Sequence, residues 1–229
     1  MRVDLLIPAL NEEKNMPSVL GGAQTYRFRR IVVADNGSTD RTADVAERAG
    51  AIVVNAPQRG YGSACLAGLN FMRKDPPDVV MFMDGDGADD PSDIEAVLQP
   101  IFNGEADLVI GSRTRGQADP GALTPVQRFG NALSCTLLRL VFGVHFTDLG
   151  PFRAVRWPIL ETLDMADRDF GWTVEMQAKA ARKGIRCHEV PVTYRVRHAG
   201  QSKVSGNIKG SIQAGIKILY TIGVEALKK

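Results

Sequence analysis

The chain has 229 residues, enough for one large α/β domain with a sizeable core or for two small ones. Its 28 Lys and Arg against 26 Asp and Glu leave a formal charge of +2, so bulk charge gives no reason to expect nucleic acid as a partner. Cys65, Cys135 and Cys187 have neither paired nor zinc-like spacing, no signal-peptide pattern follows Met1, and no apolar run reaches the ~18 residues of a spanning helix. A cytoplasmic protein is therefore expected, with peripheral contact at the inner membrane face left open.

Residues 3–7 read as a first strand ended by Pro8, and Asn11-Glu12-Glu13 opens a polar helix start. Residues 31–34 form a second apolar strand. The turn Asp35-Asn36-Gly37-Ser38-Thr39-Asp40 follows, where Ser38, Thr39 or Asp40 is placed to cap a helix running to about Ala49. A third strand at 51–55 leads to the glycine-containing loop Gln58-Arg59-Gly60-Tyr61-Gly62-Ser63 and a helix through Arg73. Residues 79–83 are wholly apolar, the mark of a strand buried in a parallel sheet. At their carboxyl end comes Asp84-Gly85-Asp86-Gly87-Ala88-Asp89-Asp90, then a helix from Pro91 and a fifth strand at 107–110 ending in Gly111-Ser112-Arg113.

Strands and helices alternate with short connections, which predicts a doubly wound, mostly parallel sheet. Asn11-Glu12, Asp35, Arg59, the Asp84/Asp86 pair and Arg113 all fall just after strands, so they share the sheet edge where such folds bind ligands. Carboxylate oxygens suit a hard divalent cation, Mg²⁺ or Mn²⁺, bridging to nucleotide phosphates, and Gly85 and Gly87 permit the tight turn that lets two acids reach one ion. The plainer alternative is an acidic loop that caps the next helix.

The second half is less regular. Residues 115–124, with Gly116, Pro120 and Gly121, read as a mobile loop, and 126–144 as a helix carrying Gln127, Arg128 and Asn131 near its start. A turn at 147–153 holds Asp148. A helix at 171–183, two short strands in 185–196 broken at Pro191, and a basic loop at 197–205 follow. Ile208, Ile212, Ile216, Leu219 and Leu227 mark one face of a final amphipathic helix. No linker or repeat cuts the chain, so residues 1–229 are expected to be one domain, with a nucleotide-binding half at 1–113 and an acceptor-side half at 114–229.

Together, Ile7-Pro8-Ala9-Leu10-Asn11-Glu12-Glu13, Val32-Val33-Ala34-Asp35-Asn36-Gly37-Ser38-Thr39-Asp40, Asp84-Gly85-Asp86 and Gly111-Ser112-Arg113 resemble family 2 glycosyltransferases of the Rossmann-like GT-A fold. Arg128-Phe129-Gly130-Asn131, Phe152-Arg153 and Arg197-x-x-Gly200-x-Ser202-Lys203 look like the branch of dolichyl-phosphate mannose and glucose synthases. The match covers nearly the whole chain in order. The resemblance implies a nucleotide diphosphate sugar as donor, UDP- or GDP-hexose. It implies a nucleoside held by Pro8, Ala9, Leu10, Asn11, Glu12, Asp35 and Gly37, with Arg59, Gly60 and Gly85 beside it. Asp84 would face the sugar or ribose and Asp86 the metal, and Arg113, Arg128, Arg197 and Lys203 would gather around phosphates. The branch commonly carries a metal-holding Gln two residues after the acidic pair; here that position is Ala88, which weakens a lipid-phosphate acceptor and favours a soluble hydroxyl. His198 is a candidate third ligand to the metal, or a solvated loop residue.

Asp148 has two readings. With a hydroxyl acceptor it is the general base; with a phosphate acceptor no base is needed, and it orients the acceptor or pairs with Arg153. Glu175 reads as a helix-start acid or a partner of nearby arginines. Trp172 reads as a sugar platform or as core, and Cys65 and Cys135 as packing. The leading expectation is an inverting, metal-dependent hexosyltransferase with a polyprenyl phosphate or small hydroxyl acceptor. A sugar nucleotidyltransferase is discounted, because Pro8-Ala9-Leu10-Asn11-Glu12 is acidic and glycine-free where those enzymes carry a basic glycine-rich loop. A non-catalytic nucleotide-binding module is discounted because the acidic pair is intact. The helix from Val126 and the last helix, both rich in leucine or isoleucine, are candidates to rest on a membrane surface. The alternative is core packing or a homodimer, favoured for the last helix because Lys209, Lys217 and Glu225 mix its charges.

Overall fold

A computed structural model describes residues 1–200 and 208–228, and for 208–213 the backbone alone. Seven strands form one sheet, β1 (Val3–Ala9), β2 (Arg30–Asp35), β3 (Ile52–Asn55), β4 (Val79–Phe82), β5 (Leu108–Ala118), β6 (Arg153–Arg156) and β7 (Cys187–Tyr194). Their order is β3-β2-β1-β4-β6-β5-β7, parallel throughout except that β6 runs antiparallel to both β4 and β5. Helices α1 (Met16–Ala23), α2 (Thr42–Arg48), α3 (Tyr61–Met72), α4 (Ile94–Phe102), α5 (Pro125–Phe142), α6 (Trp157–Leu163), α7 (Trp172–Arg182) and α8 (Ile208–Leu227) flank it. Each sheet face has its own apolar core: one gathers Leu6, Val80, Phe82 and Trp172, the other Leu5, Ile7, Met81 and Val97. Alternate residues of β1 and β4 thus serve opposite faces, which is why their sequences are unbroken apolar runs.

Several local expectations give way to non-local pairing. Pro8 does not end β1, which runs on to Ala9. Beyond Leu6 the strand pairs with β2 alone, so the missing N–H of Pro8 removes nothing from the β4 side. Residues 115–118 are not loop but the end of β5, which bulges between Ser112 and Gln117 and resumes pairing at Gln117–Thr193 and Ala118–Tyr194. Gly116 is needed there because a Cβ would lie 2.0 Å from the Val192 carbonyl oxygen. Pro191 does not split the next strand either: β7 is continuous, and as an edge strand it tolerates a proline opposite Ser112.

The β2–α2 turn follows a different cap from the one expected. Arg41 holds the N-cap position without a side-chain bond, while Asp40 accepts from the Thr42 amide at 3.0 Å. Thr124 caps α5 in a reciprocal box with Gln127, and Gly143, at φ 73°, ends it. Strand β6 and helix α6 have no periodic signal in sequence. Arg153 sits wholly buried in β6, between Phe82 and Ile110 of its neighbours, and no hydrophobic pattern announces such a strand. Cys65 and Cys135 are buried in the core and Trp172 packs there against Phe82, so packing is their role.

Candidate active site

A cavity of about 530 Å³ opens at the carboxyl edge of the parallel strands, where β1, β2 and β4 hand over to their loops. Pro8, Ala9, Leu10 and Glu12 line it from the end of β1, and Arg59, Gly60 and Tyr61 from the start of α3. Asp84, Gly85 and Asp86 line it after β4, and Arg113, Tyr194 and Arg197 come from β5, β7 and the loop beyond. Gln127, Pro151, Asp169 and Phe170 complete the lining from the second half of the chain.

Asn36 organises one wall. Its amide nitrogen donates to the carbonyls of Ala56 and Gln58, and its oxygen accepts from the Gly60 amide at 2.9 Å. Gly60 has φ 125° and passes so close to Arg168 that a Cβ would stand 2.1 Å from its carbonyl oxygen; Gly62 meets Asp167 in the same way. These two glycines therefore let the 167–169 segment close over the start of α3. Asp35 spends its carboxylate on the Ser38 amide and hydroxyl, shaping the turn behind the cavity instead of lining it. Asn11, at φ 52°, holds the Thr39 amide at 2.8 Å from the same side, and Gly37 lies against the Arg59 guanidinium.

The acidic pair sits on the cavity floor. Asp84 accepts from the Tyr61 hydroxyl at 2.9 Å, and its amide donates to Asp89 at 3.0 Å. Burial, and next the Asp86 charge, push Asp84 up to about 7. Asp89 is raised too, first by burial and then by Asp84, and lies turned away beneath the floor. Ala88 is buried against Leu123 and Tyr194, so the place where a coordinating Gln was considered is here a packing position. Arg197 spans the cavity mouth, donating to Glu12 at 2.9 Å and to Asp86 at 2.8 Å. Arg197 thus neutralises Asp86 in this structure, and carboxylate oxygens are hard donors of the kind that suit Mg²⁺ or Mn²⁺.

Among the described residues no three His, Cys, Asp or Glu converge as a self-sufficient metal centre. His198 is accordingly not brought to the acidic pair: it stays exposed while its neighbour Arg197 turns inward. Any cation here would complete its shell with ligand or water oxygens. Lys203 lies outside the described residues, and Arg128 is exposed on α5, outside the cavity lining.

Asp148 differs most from expectation. It is fully buried, with one oxygen 2.7 Å from Arg113 Nη2 and the other accepting from Arg113 Nε and the Arg113 amide. Its partner is Arg113, not Arg153. Arg153 instead donates to the carbonyls of Leu149, Gly150 and Thr173 and to Gln177, and burial pulls it down to about 10. The 147–149 turn is clamped by Glu189, which accepts from the Thr147 and Asp148 amides, and by Asn131, which bonds Thr147 and Leu149. Asp148 thus holds Arg113, which also lies over the Tyr194 ring at 5.0 Å, as a fixed fork facing the cavity. With no solvent access and both oxygens on a guanidinium, Asp148 in this arrangement has no lone pair turned to the cavity. Glu175 is likewise inward, pairing with Lys179 at 2.8 Å and accepting from the Ala166 and Asp167 amides.

Sequence reasoning missed Asn36, Tyr61, Tyr194, Asp169 and Phe170 as site residues. Asn36 lies in the turn at 35–40 and Tyr61 in the loop at 58–63, so their place after a strand is the available signal. Asp169 and Phe170 sit in an irregular segment with no local signal.

Residues 4–164 match the family model described as glycosyl transferase family 2. The chain belongs to that family. It is 39% identical over 213 residues to an uncharacterised glycosyltransferase of Mycobacterium tuberculosis, covering 93% of this chain and 94% of that one. It is 32% identical to the undecaprenyl-phosphate mannosyltransferase of Micrococcus luteus, covering 92% and 90%. A crystal structure of glucosyl-3-phosphoglycerate synthase from M. tuberculosis, holding Mn²⁺, UDP and phosphoglyceric acid, superposes with a TM-score of 0.76 at 19% identity, covering 98% of this chain and 78% of that one. That likeness bears out the expected fold class, and the protein is a family 2 glycosyltransferase.

Proposed function

We propose that this glycosyltransferase moves a hexose from a UDP- or GDP-hexose to the phosphate of a polyprenyl phosphate, with a divalent cation held by Asp84 and Asp86. The observation that carries the donor half is that two strand-end carboxylates line one cavity with Arg59, Arg113 and Arg197. When bound, the cation would neutralise charge on the diphosphate. The protein's own groups do the rest: the 8–12 segment and the Asn36-held loop bound the nucleoside space, and the guanidinium groups stabilise negative charge as the nucleotide leaves. A phosphate acceptor is already a nucleophile, which fits a site whose Asp148 is locked on Arg113. The likeness to the undecaprenyl-phosphate mannosyltransferase of M. luteus supports the same acceptor class. A hydroxyl acceptor is the second reading, and Asp169, which lines the cavity, is then the base the geometry offers.

The direct test is a thermal-shift panel of UDP- and GDP-sugars with and without Mn²⁺ or Mg²⁺. One nucleotide series should stabilise the protein only with metal, by roughly 2.7 kcal/mol at ~100 times its dissociation constant. No shift with either series would remove the donor assignment. Incubation with a water-soluble short-chain isoprenyl phosphate, and separately with the matching alcohol, then separates the two acceptor readings.

Arg197 should have opposed effects on binding and turnover. Because it occupies Asp86 and Glu12, Arg197→Met is expected to tighten binding of Mn²⁺ alone, read by calorimetry, while lowering transfer by roughly 10²-fold through loss of a phosphate-facing charge. Weaker metal binding in that variant would show that the arginine supports the cation instead of competing with it.

A further inference from the structure

Two helices of the second half, α5 and α8, carry large apolar side chains that nothing among the described residues covers. On α5, Val126 (63% exposed), Phe129 (71%), Leu133 and Leu140 (75%) recur at helical spacing along one outward stripe. On α8, Ile216, Leu219, Tyr220 and Leu227 do the same, and the two helices pack against each other. An apolar surface of this extent on a water-exposed protein marks an interaction face.

We propose that this face rests on an anionic lipid bilayer, so that the cavity is presented to acceptors lying in the membrane; this rests on the polyprenyl-phosphate reading above. Charge and position both favour a bilayer. In α5 the only charged residues are Arg128 and Arg139, both exposed. The single acid of α8, Glu225, is buried on Arg182 and Lys228. Lys217 of α8 is already paired with Asp167. A second copy apposed through the same two helices would bring the same arginines and no exposed carboxylate of either helix to meet them, whereas anionic headgroups meet them directly. The α5 stripe also begins beside Gln127, which lines the cavity, so a lipid with its phosphate inside has an apolar helix to follow outward. No helix among the described residues is long and apolar enough to cross a membrane, so the contact is lateral.

Flotation of the full chain with phosphatidylcholine vesicles, with and without about one-third phosphatidylglycerol, tests this. The protein is expected to float with the anionic vesicles, and Leu140→Glu/Tyr220→Glu, two exposed positions outside the cavity, to lose that association by roughly tenfold or more while keeping transfer to the short-chain isoprenyl phosphate. No flotation of the wild type, or equal flotation of the variant, overturns the proposal. So does a dimer in sedimentation that this variant dissolves, since the face then belongs to a second copy. Absence of transfer to the soluble isoprenyl phosphate by either protein would instead count against the acceptor reading, whatever the vesicles show.

Discussion

Asp86→Ala is expected to lower transfer by roughly 10³-fold or more while the protein still folds, because the carboxylate that would hold the cation is gone and the diphosphate loses its main counter-charge. The side chain is not fully buried, and the ion pair it makes among the described residues, with Arg197, is shared with Glu12, so little of the fold depends on it. The melting temperature should therefore move by no more than a few degrees. Kinetics at saturating donor with a metal titration are the measurement. A variant that remained active and still needed metal would place the ion elsewhere.

Asp148→Asn should act chiefly on stability, and through it on the acceptor side of the cavity. The change keeps the shape but strips the charge that compensates Arg113, which is itself nearly buried at the cavity wall. Breaking a buried pair from one side costs about 3–5 kcal/mol, which for a chain of this size lowers the melting temperature by roughly 6–20 °C. Adding Arg113→Met should recover much of that loss by removing the uncompensated cation, but it should not recover transfer, because the fork facing the cavity is gone. If Asp148 were the catalytic base, Asp148→Asn would slow the chemistry by about 10²–10⁴-fold with the melting temperature unchanged. Melting curves and rates for the two variants decide between these outcomes.

The strand-end side of the cavity was largely legible in the sequence, because the signals there are local. Each apolar run in the first half ends in a polar cluster within a few residues. A doubly wound sheet then delivers all such clusters to one edge, so Glu12, Arg59, Asp84, Asp86 and Arg113 could be placed together from order alone. The same reasoning over-reached where a residue's partner comes from far away. Gly116 looked like loop and Pro191 like a strand break, yet both lie in the β5–β7 ladder, where a close backbone approach and an edge position decide their meaning.

Side-chain roles in the second half depended still more on the fold. Asp148 is adjacent to nothing in sequence that marks it as the partner of Arg113, 35 residues earlier, and Glu189 closes the same turn from 41 residues later. Arg197 reaches Glu12 across 185 residues and Asp86 across 111. Alternation of apolar strand and polar turn specified the class of fold, its binding edge and the acids that face it, because those follow from chain order and a period of two or 3.6. Which acid lines the cavity, which is locked beneath an arginine, and which helix faces lie bare among the described residues was decided by tertiary packing alone, because burial and charge pairing join residues that chain order keeps apart.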